Sequence, residues 1–204
     1  MKQFSLACER NKGPILATLR DALSTSGLVL EIGSGTGQHA VFFAEHLPQL
    51  QWQPTDLAEN LPSMHAWAAA GDAANLLEPR VLDLFSDPWP VTQAQAVVCI
   101  NTIHIVPWVG VERLFAGAGQ LLDSTGILFV YGPYRYAGRP FEPTNKRFDQ
   151  CLRSRDPESG VRDFDAVNAL ARAHGLQLVE DRAMPANNRC IWWMKEKQVA
   201  SNRL

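Results

Sequence analysis

Hydrophobic positions along the chain switch repeatedly between two spacings. Ile15, Leu16, Leu19 and Leu23 recur at helical intervals after Pro14, which fits the first turn of a helix, and Gly27 is placed to end it. The run LVLEIGSGTG (28–37) is apolar and β-branched before it breaks into glycines, and QHAVFFAEHL (38–47) returns to helical spacing. A strand, a tight loop and an amphipathic helix are predicted there. The alternation continues through LQWQPTD as a strand, LPSMHAWAAAG as a helix, PRVLDLF as a strand and AQAVVCINTIHIV as a buried strand running into a loop. VERLFAGAGQLL then reads as a helix and GILFVYGPY as a strand. Strands alternating with helices imply right-handed crossovers, hence an α/β fold with a mainly parallel sheet and helices on both faces. In such sheets ligands sit at the carboxyl ends of the strands.

Beyond Tyr134 the pattern changes. RYAGRPFEPTNKRFDQCLRSRDPESGVRDF is polar, Arg-rich and interrupted by Pro and Gly, and a helix is predicted from about Asp165 to His174. We read residues 135–164 as an active-site insertion or lid. LQLVEDRAMP and RCIWWMKE, separated by ANN, have the character of two antiparallel strands that close the sheet. Asn187 and Asn188 suit the turn because asparagine tolerates positive φ, and residues 184–188 bordering a pocket is the other reading.

A chain of 204 residues, 46% of them hydrophobic, suits a single domain with one buried core over residues 1–204. The formal charge of −2 provides no uniform field for phosphates, so nucleic acid is a disfavoured partner and a small molecule is favoured. Cys8, Cys99, Cys151 and Cys190 have no metal-ligand or CxxC spacing and read as reduced thiols; no metal site is expected. The first residues have no continuous apolar core before a cleavage site, and no segment supplies ~20 uninterrupted apolar residues, so a cytoplasmic, membrane-free protein is expected. Nothing in the sequence indicates an oligomeric state.

Candidate chemistry begins at Glu31-Ile32-Gly33-Ser34-Gly35-Thr36-Gly37, where a strand passes into a helix. Gly33, Gly35 and Gly37 let a ligand approach the main chain without meeting a Cβ. A dinucleotide fingerprint would need glycine where Gln38 stands, to seat a pyrophosphate on the helix N-terminus. Asp56, at the end of the next strand, suits the hydroxyls of a ribose, with a helix cap as its other reading. His104 follows the fourth strand and has the chemistry of a base near neutral pH, or of a group that orients an acceptor, against the plainer reading of a packed histidine. Trp108 and Tyr134 are candidate walls of the acceptor pocket. Asn145, Arg155 and Arg162 are candidate polar contacts there, with surface ion pairing as the alternative.

With its acid two residues before the first glycine, this loop resembles motif I of class I S-adenosylmethionine (SAM) methyltransferases, in which the loop faces the methionine part of SAM. Asp83 resembles the landmark acid that accepts from the adenine amino group, with Leu84 flanking the ring. The ordered series ERNKGPIL, VLEIGSGTGQHAVFFAEHLP, LQWQPTD, NTIHIVPW, YGPY, NKRFDQCLRSRDPESGVRD and MPANN is similar to domain of unknown function 938, a SAM-dependent methyltransferase-like family. That resemblance implies the Rossmann-like class I fold with a seven-stranded sheet. It also implies cofactor-side positions at Glu31, Gly33, Ser34, Gly35, Gly37, Asp56, Leu57, Asp83, Leu84 and Asn101, with Arg10 and Asn11 near the cofactor. The expected reaction moves a methyl group from SAM to a small acceptor and yields S-adenosylhomocysteine. It supplies neither acceptor nor base, and function by fold analogy is associational. Two other readings stand beside it: a non-catalytic SAM-binding or interaction protein, and an NAD-dependent oxidoreductase, against which Gln38 counts.

Overall fold

Residues 27–32 form the strand on which the sheet is organised. In this computed structural model, which describes residues 1–23 and 26–197, β1 (Gly27–Ile32) is flanked by β2 (Leu50–Asp56) on one side and β4 (Ala94–Ile100) on the other, both parallel to it. β3 (Arg80–Val81) extends the sheet beyond β2. On the other side β5 (Leu122–Arg135) pairs in parallel with β4, and β8 (Asn188–Lys195) and β7 (Leu176–Met184) complete it in antiparallel sense. The path β3-β2-β1-β4-β5-β8-β7 has the seven strands expected, and the two-residue β6 (Arg162–Asp163) pairs off it with the end of β5. Strand order reverses between β1 and β4, which leaves a crevice at their carboxyl ends.

Neighbouring residues of each strand enter opposite cores. Val29, Val98 and Phe129 pack with α1 (Leu6–Ala22) and α2 (Gln38–His46) on one face. Leu30, Val97 and Leu128 pack with α4 (Trp108–Leu121) and α6 (Phe164–Ala173) on the other. Burial on both faces explains why these strands read as unbroken apolar runs rather than as alternating ones. α3 (Leu61–Ala68) packs beside α2. No helix of the described residues is long and apolar enough to cross a membrane, and all four cysteines are free.

Three local expectations need correction. The first helix starts at Leu6, capped by the Ser5 side chain, and runs through Pro14 instead of beginning there. A proline inside a helix loses a hydrogen bond and crowds the preceding turn, at about 3 kcal/mol. This one is held by contacts its own sequence does not advertise: the Ser5 N–H donates to Gln38 Oε1, and Asn11 Oδ1 meets His39 Nε2 at 2.8 Å. The helix ends at Ala22, and Gly27 opens β1 instead of closing the helix. The PRVLDLF strand shrinks to two residues because the chain turns at Asp83, whose Oδ1 accepts the Phe85 N–H at 2.9 Å. Within the insertion, residues 143–155 form a helix, α5 (Pro143–Arg155), with Leu152 buried and Pro143 in its first turn.

Candidate functional site

At the carboxyl ends of β1, β2 and β4 lies a cavity of about 660 Å³, within the range usual for small-molecule sites. Its floor is the glycine loop. Gly33 has φ +74, and a Cβ there would stand 2.4 Å from Thr102 Oγ1, so close packing of the loop on the β4 end requires glycine. Gly35 has φ +56 and nothing within 4 Å of its Cβ position, so its backbone is bare toward open space. Gly37 does not line the cavity; it is the N-cap of α2, tight against Met64.

Asp56 shapes the loop. One carboxylate oxygen accepts the Gly35 N–H at 2.6 Å, and the other accepts from the Leu57 N–H at 2.7 Å and Asn60 Nδ2 at 2.9 Å. It is not the cap of α3, which begins after Asn60. Leu57, Asp83 and Leu84 also line the cavity, so both strand-end acids singled out in the sequence border one space, together with Glu59. Glu31 does not border it. This side chain is 1% exposed beneath the loop and accepts from Trp52 Nε1 at 2.9 Å. Burial lifts its carboxyl to about 7, against the opposing hydrogen bonds of Trp52 and Ser34. Ser34 lines the cavity, and its hydroxyl accepts the Thr55 N–H.

Asn101 and His104 stand where β4 ends. Asn101 holds a left-handed backbone (φ 56), a conformation asparagine tolerates, and lines this cavity. His104 lines it too, is 3% exposed, meets the Phe148 ring edge-on with centroids 5.2 Å apart, and has no hydrogen-bond partner at Nδ1. Burial first, and then the charge of Arg162, pull its pKa down to about 4, so the imidazole is neutral near pH 7.

A second cavity of about 450 Å³ adjoins the first and shares Ala7, Asn101 and Phe148 with it. Arg10 and Asn11 line this second space and not the first. Asn145 lines it as well: it is 7% exposed and donates from Nδ2 to the Asn187 carbonyl at 2.9 Å, tying α5 to the β7–β8 turn. Ala186 and Asn187 make that turn with φ of 57 and 58, while Pro185, Ala186 and Asn188 border the cavity, so turn and pocket wall are one segment.

The remaining acceptor-side expectations fall elsewhere. Arg162 is buried and donates to the carbonyls of Ile103 (2.8 Å), Val106 and Glu158 (3.1 Å), which clamps the loop carrying His104. Nε and Nη2 are engaged in this way, and Arg162 lines neither cavity. Arg155 is exposed at the end of α5. Trp108 begins α4 and packs against the core, and Tyr134 is inside that core with its hydroxyl unpartnered. Neither lines either cavity. Apolar surroundings outweigh their polar handles.

Sequence reasoning missed Ser5, Ala7 and Cys8, which line the first cavity because the first turn of α1 lies over the glycine loop. Gln3 N–H donates to Ser63 Oγ at 3.0 Å, and Ser63 Oγ in turn donates to the Thr36 carbonyl at 2.9 Å. A Ser5 cap followed by Leu6 was the available signal. Phe148, within the segment read as an active-site insertion, is a wall shared by both cavities, and it stands four residues from Leu152, as on a helix face.

The fold is similar to several solved methyltransferase structures. An O-methyltransferase family protein from Burkholderia thailandensis superposes with a TM-score of 0.80 at 14% identity, over 94% of this chain and 58% of that one. Human N-acetylserotonin methyltransferase in complex with SAM gives 0.80 at 15%, over 94% and 53%. An O-methyltransferase family 2 protein from Planctomyces limnophilus in complex with apigenin gives 0.75 at 17%, over 90% and 61%. The chain thus spans little more than half the length of these proteins, and at such identities the likeness establishes the fold alone. Residues 2–195 match the family described as protein of unknown function (DUF938), and the chain belongs to that family.

Proposed function

We propose that the protein is a SAM-dependent methyltransferase acting on a small-molecule acceptor, with S-adenosylhomocysteine as the second product. The observation that carries this reading is the pair of adjoining cavities at the switch point of the sheet, the first floored by the bare backbone of Gly35 and bordered by Asp56 and Asp83. Those residues fit SAM: a Cβ at position 35 would enter the space, and the strand-end acids suit ribose and adenine donors. SAM would supply an electrophilic methyl group on a sulfonium.

This chain's residues then have three tasks. The glycine loop, Asp56, Asp83 and Leu84 hold the cofactor. Asn101 and Phe148 border both spaces, where they align an acceptor atom for in-line displacement. Neutral His104 lines the first cavity beside Phe148, suited to orienting an acceptor more than to removing its proton, since a base works best with a pKa near the operating pH. The same weakness as a base favours one second reading, SAM binding without transfer. A nicotinamide dinucleotide fits less well, because at the N-terminus of α2, where its pyrophosphate would rest, the Gln38 N–H donates to Thr36 Oγ1 at 3.3 Å and the Gln38 side chain accepts from Ser5.

Calorimetric titration of the purified protein with SAM, S-adenosylhomocysteine and NAD, after stripping any co-purified ligand, tests the cofactor. Micromolar binding of the first two, and not of NAD, is expected. Failure of both to bind would overturn the reading, and binding with no acceptor found in a transfer screen would leave the second one.

A further inference from the structure

The second cavity has a composition of its own. Pro14, Pro133, Phe148 and Pro185 give it apolar walls, and Arg10 is the one charged residue lining it. Lys12, two residues on, pairs with Glu9 at 2.6 Å, whereas Arg10 enters no salt bridge among the described residues. Thr144 and Asn145, in the first turn of α5, also line the space; the positive end of that helix dipole is offset by its N-cap Glu142, so the charge of the cavity wall is that of Arg10.

Tyr131 lines the space as well. His39 is neutral, its pKa pulled down to about 4 by burial and then by the Lys12 charge, so its ring carries a single N–H. With Asn11 Oδ1 as acceptor 2.8 Å from Nε2, that N–H is on Nε2. Burial raises the Tyr131 pKa, and the Asn11 side chain opposes that rise. Tyr131 therefore keeps its proton and lines the cavity as a neutral phenol.

We infer that the second cavity binds the methyl acceptor as a small monocarboxylate with an apolar body, its charge met by the Arg10 guanidinium and the Tyr131 hydroxyl. The nucleophilic atom then lies toward Asn101 and Phe148, at the boundary with the first cavity. This inference rests on the methyltransferase reading for the word acceptor, and on the second cavity alone for the ligand's chemistry. One guanidinium and one hydroxyl balance a single negative charge; a cationic amine would meet repulsion, and a phosphate dianion would be half neutralised.

The test uses the full chain and three matched probe pairs: benzoate, 2-naphthoate and indole-3-acetate, each against its primary carboxamide, with phenyl phosphate as a dianion, followed by ligand-observed NMR. The carboxylates are expected to bind about tenfold more tightly than the amides, as for one partly solvated charge-assisted contact. Arg10→Met, at an exposed side chain that leaves the thermal melt unchanged, brings the pairs to parity, and Tyr131→Phe weakens the carboxylates severalfold. Amides binding as well as carboxylates, no carboxylate binding, tighter binding of phenyl phosphate, or a preference that survives in Arg10→Met would overturn the inference. S-adenosylhomocysteine titrated into the unaltered protein separates the two ideas. No binding there, with the carboxylate preference intact, sinks only the methyltransferase reading; the reverse sinks only this one.

Discussion

Glutamine in place of Glu31 is expected to change how stability responds to pH. Glu31 is 1% exposed at the end of β1 and accepts from Trp52 Nε1 at 2.9 Å. Burial, partly offset by Trp52 and Ser34 and reinforced by the charge of Asp56, raises its carboxyl from 4.5 to about 7. Below pH 4.5 the folded and unfolded chains both hold the proton. Between 4.5 and 7 only the folded chain does, so stability falls as pH rises, by about 1.4 kcal/mol per pH unit. Above 7 both forms are ionised and the loss is complete, at about 3 kcal/mol. Glutamine keeps an oxygen for Trp52 and has nothing to ionise, so Glu31→Gln should gain about 3 kcal/mol on the natural protein across that window. Urea unfolding followed by tryptophan fluorescence, at steps from pH 4.5 to 8, measures the difference. Parallel curves for the two proteins, or a natural protein that gains on the variant as pH rises, would refute the reasoning.

Two neighbouring glycines should separate stability from binding. Gly33→Ala puts a Cβ 2.4 Å from Thr102 Oγ1 and should cost about 3 kcal/mol or more in urea unfolding, while Gly35→Ala, with open space at its Cβ, should cost about 1 kcal/mol and weaken S-adenosylhomocysteine at least about tenfold. Equal effects of the two on both measurements would contradict the geometry. Asp56→Ala removes the acceptor of the Gly35 and Leu57 N–H groups and should cost about 2 kcal/mol as well as raising the calorimetric Kd at least about tenfold; an unchanged Kd sinks the placement of the cofactor. His104→Gln should lower the rate of methyl transfer far more than cofactor affinity. Because its pKa is about 4, the transfer rate proposed for the natural protein should show no His104 inflection between pH 6 and 8, and a histidine inflection there that vanishes in the variant would count against a neutral, orienting role.

Much of the first cavity could be read from the chain because its parts are local. The strand-to-helix glycine loop, Asp56 at the end of β2, and Asp83 and Asn101 in the segments that follow β3 and β4 were each picked out by spacing or by resemblance within a short segment, and all line that cavity. The second cavity could not be read this way. Asn145 comes to the second cavity through a hydrogen bond to Asn187, forty-two residues away, and Arg162 leaves it to clamp carbonyls 56 and 59 residues upstream. Both are polar residues of one Arg-rich stretch, and composition does not say which will be buried.

The sequence by itself determined the α/β class, the order of most elements, the antiparallel closure by residues 176–195 and the place of the loop that floors the first cavity. Those depend on hydrophobic period and on backbone torsions, which are properties of neighbouring residues. Only the tertiary structure decided that α1 runs through Pro14 to lay Ser5, Ala7 and Cys8 over the glycine loop. The same holds for Glu31 lying beneath the cavity instead of in it, and for Arg10, Asn11 and Tyr131 sharing a second space. These outcomes depend on which distant surface each side chain meets, and desolvation then sets their charge: it takes the carboxyl of Glu31 up to about 7 and the imidazole of His104 down to about 4.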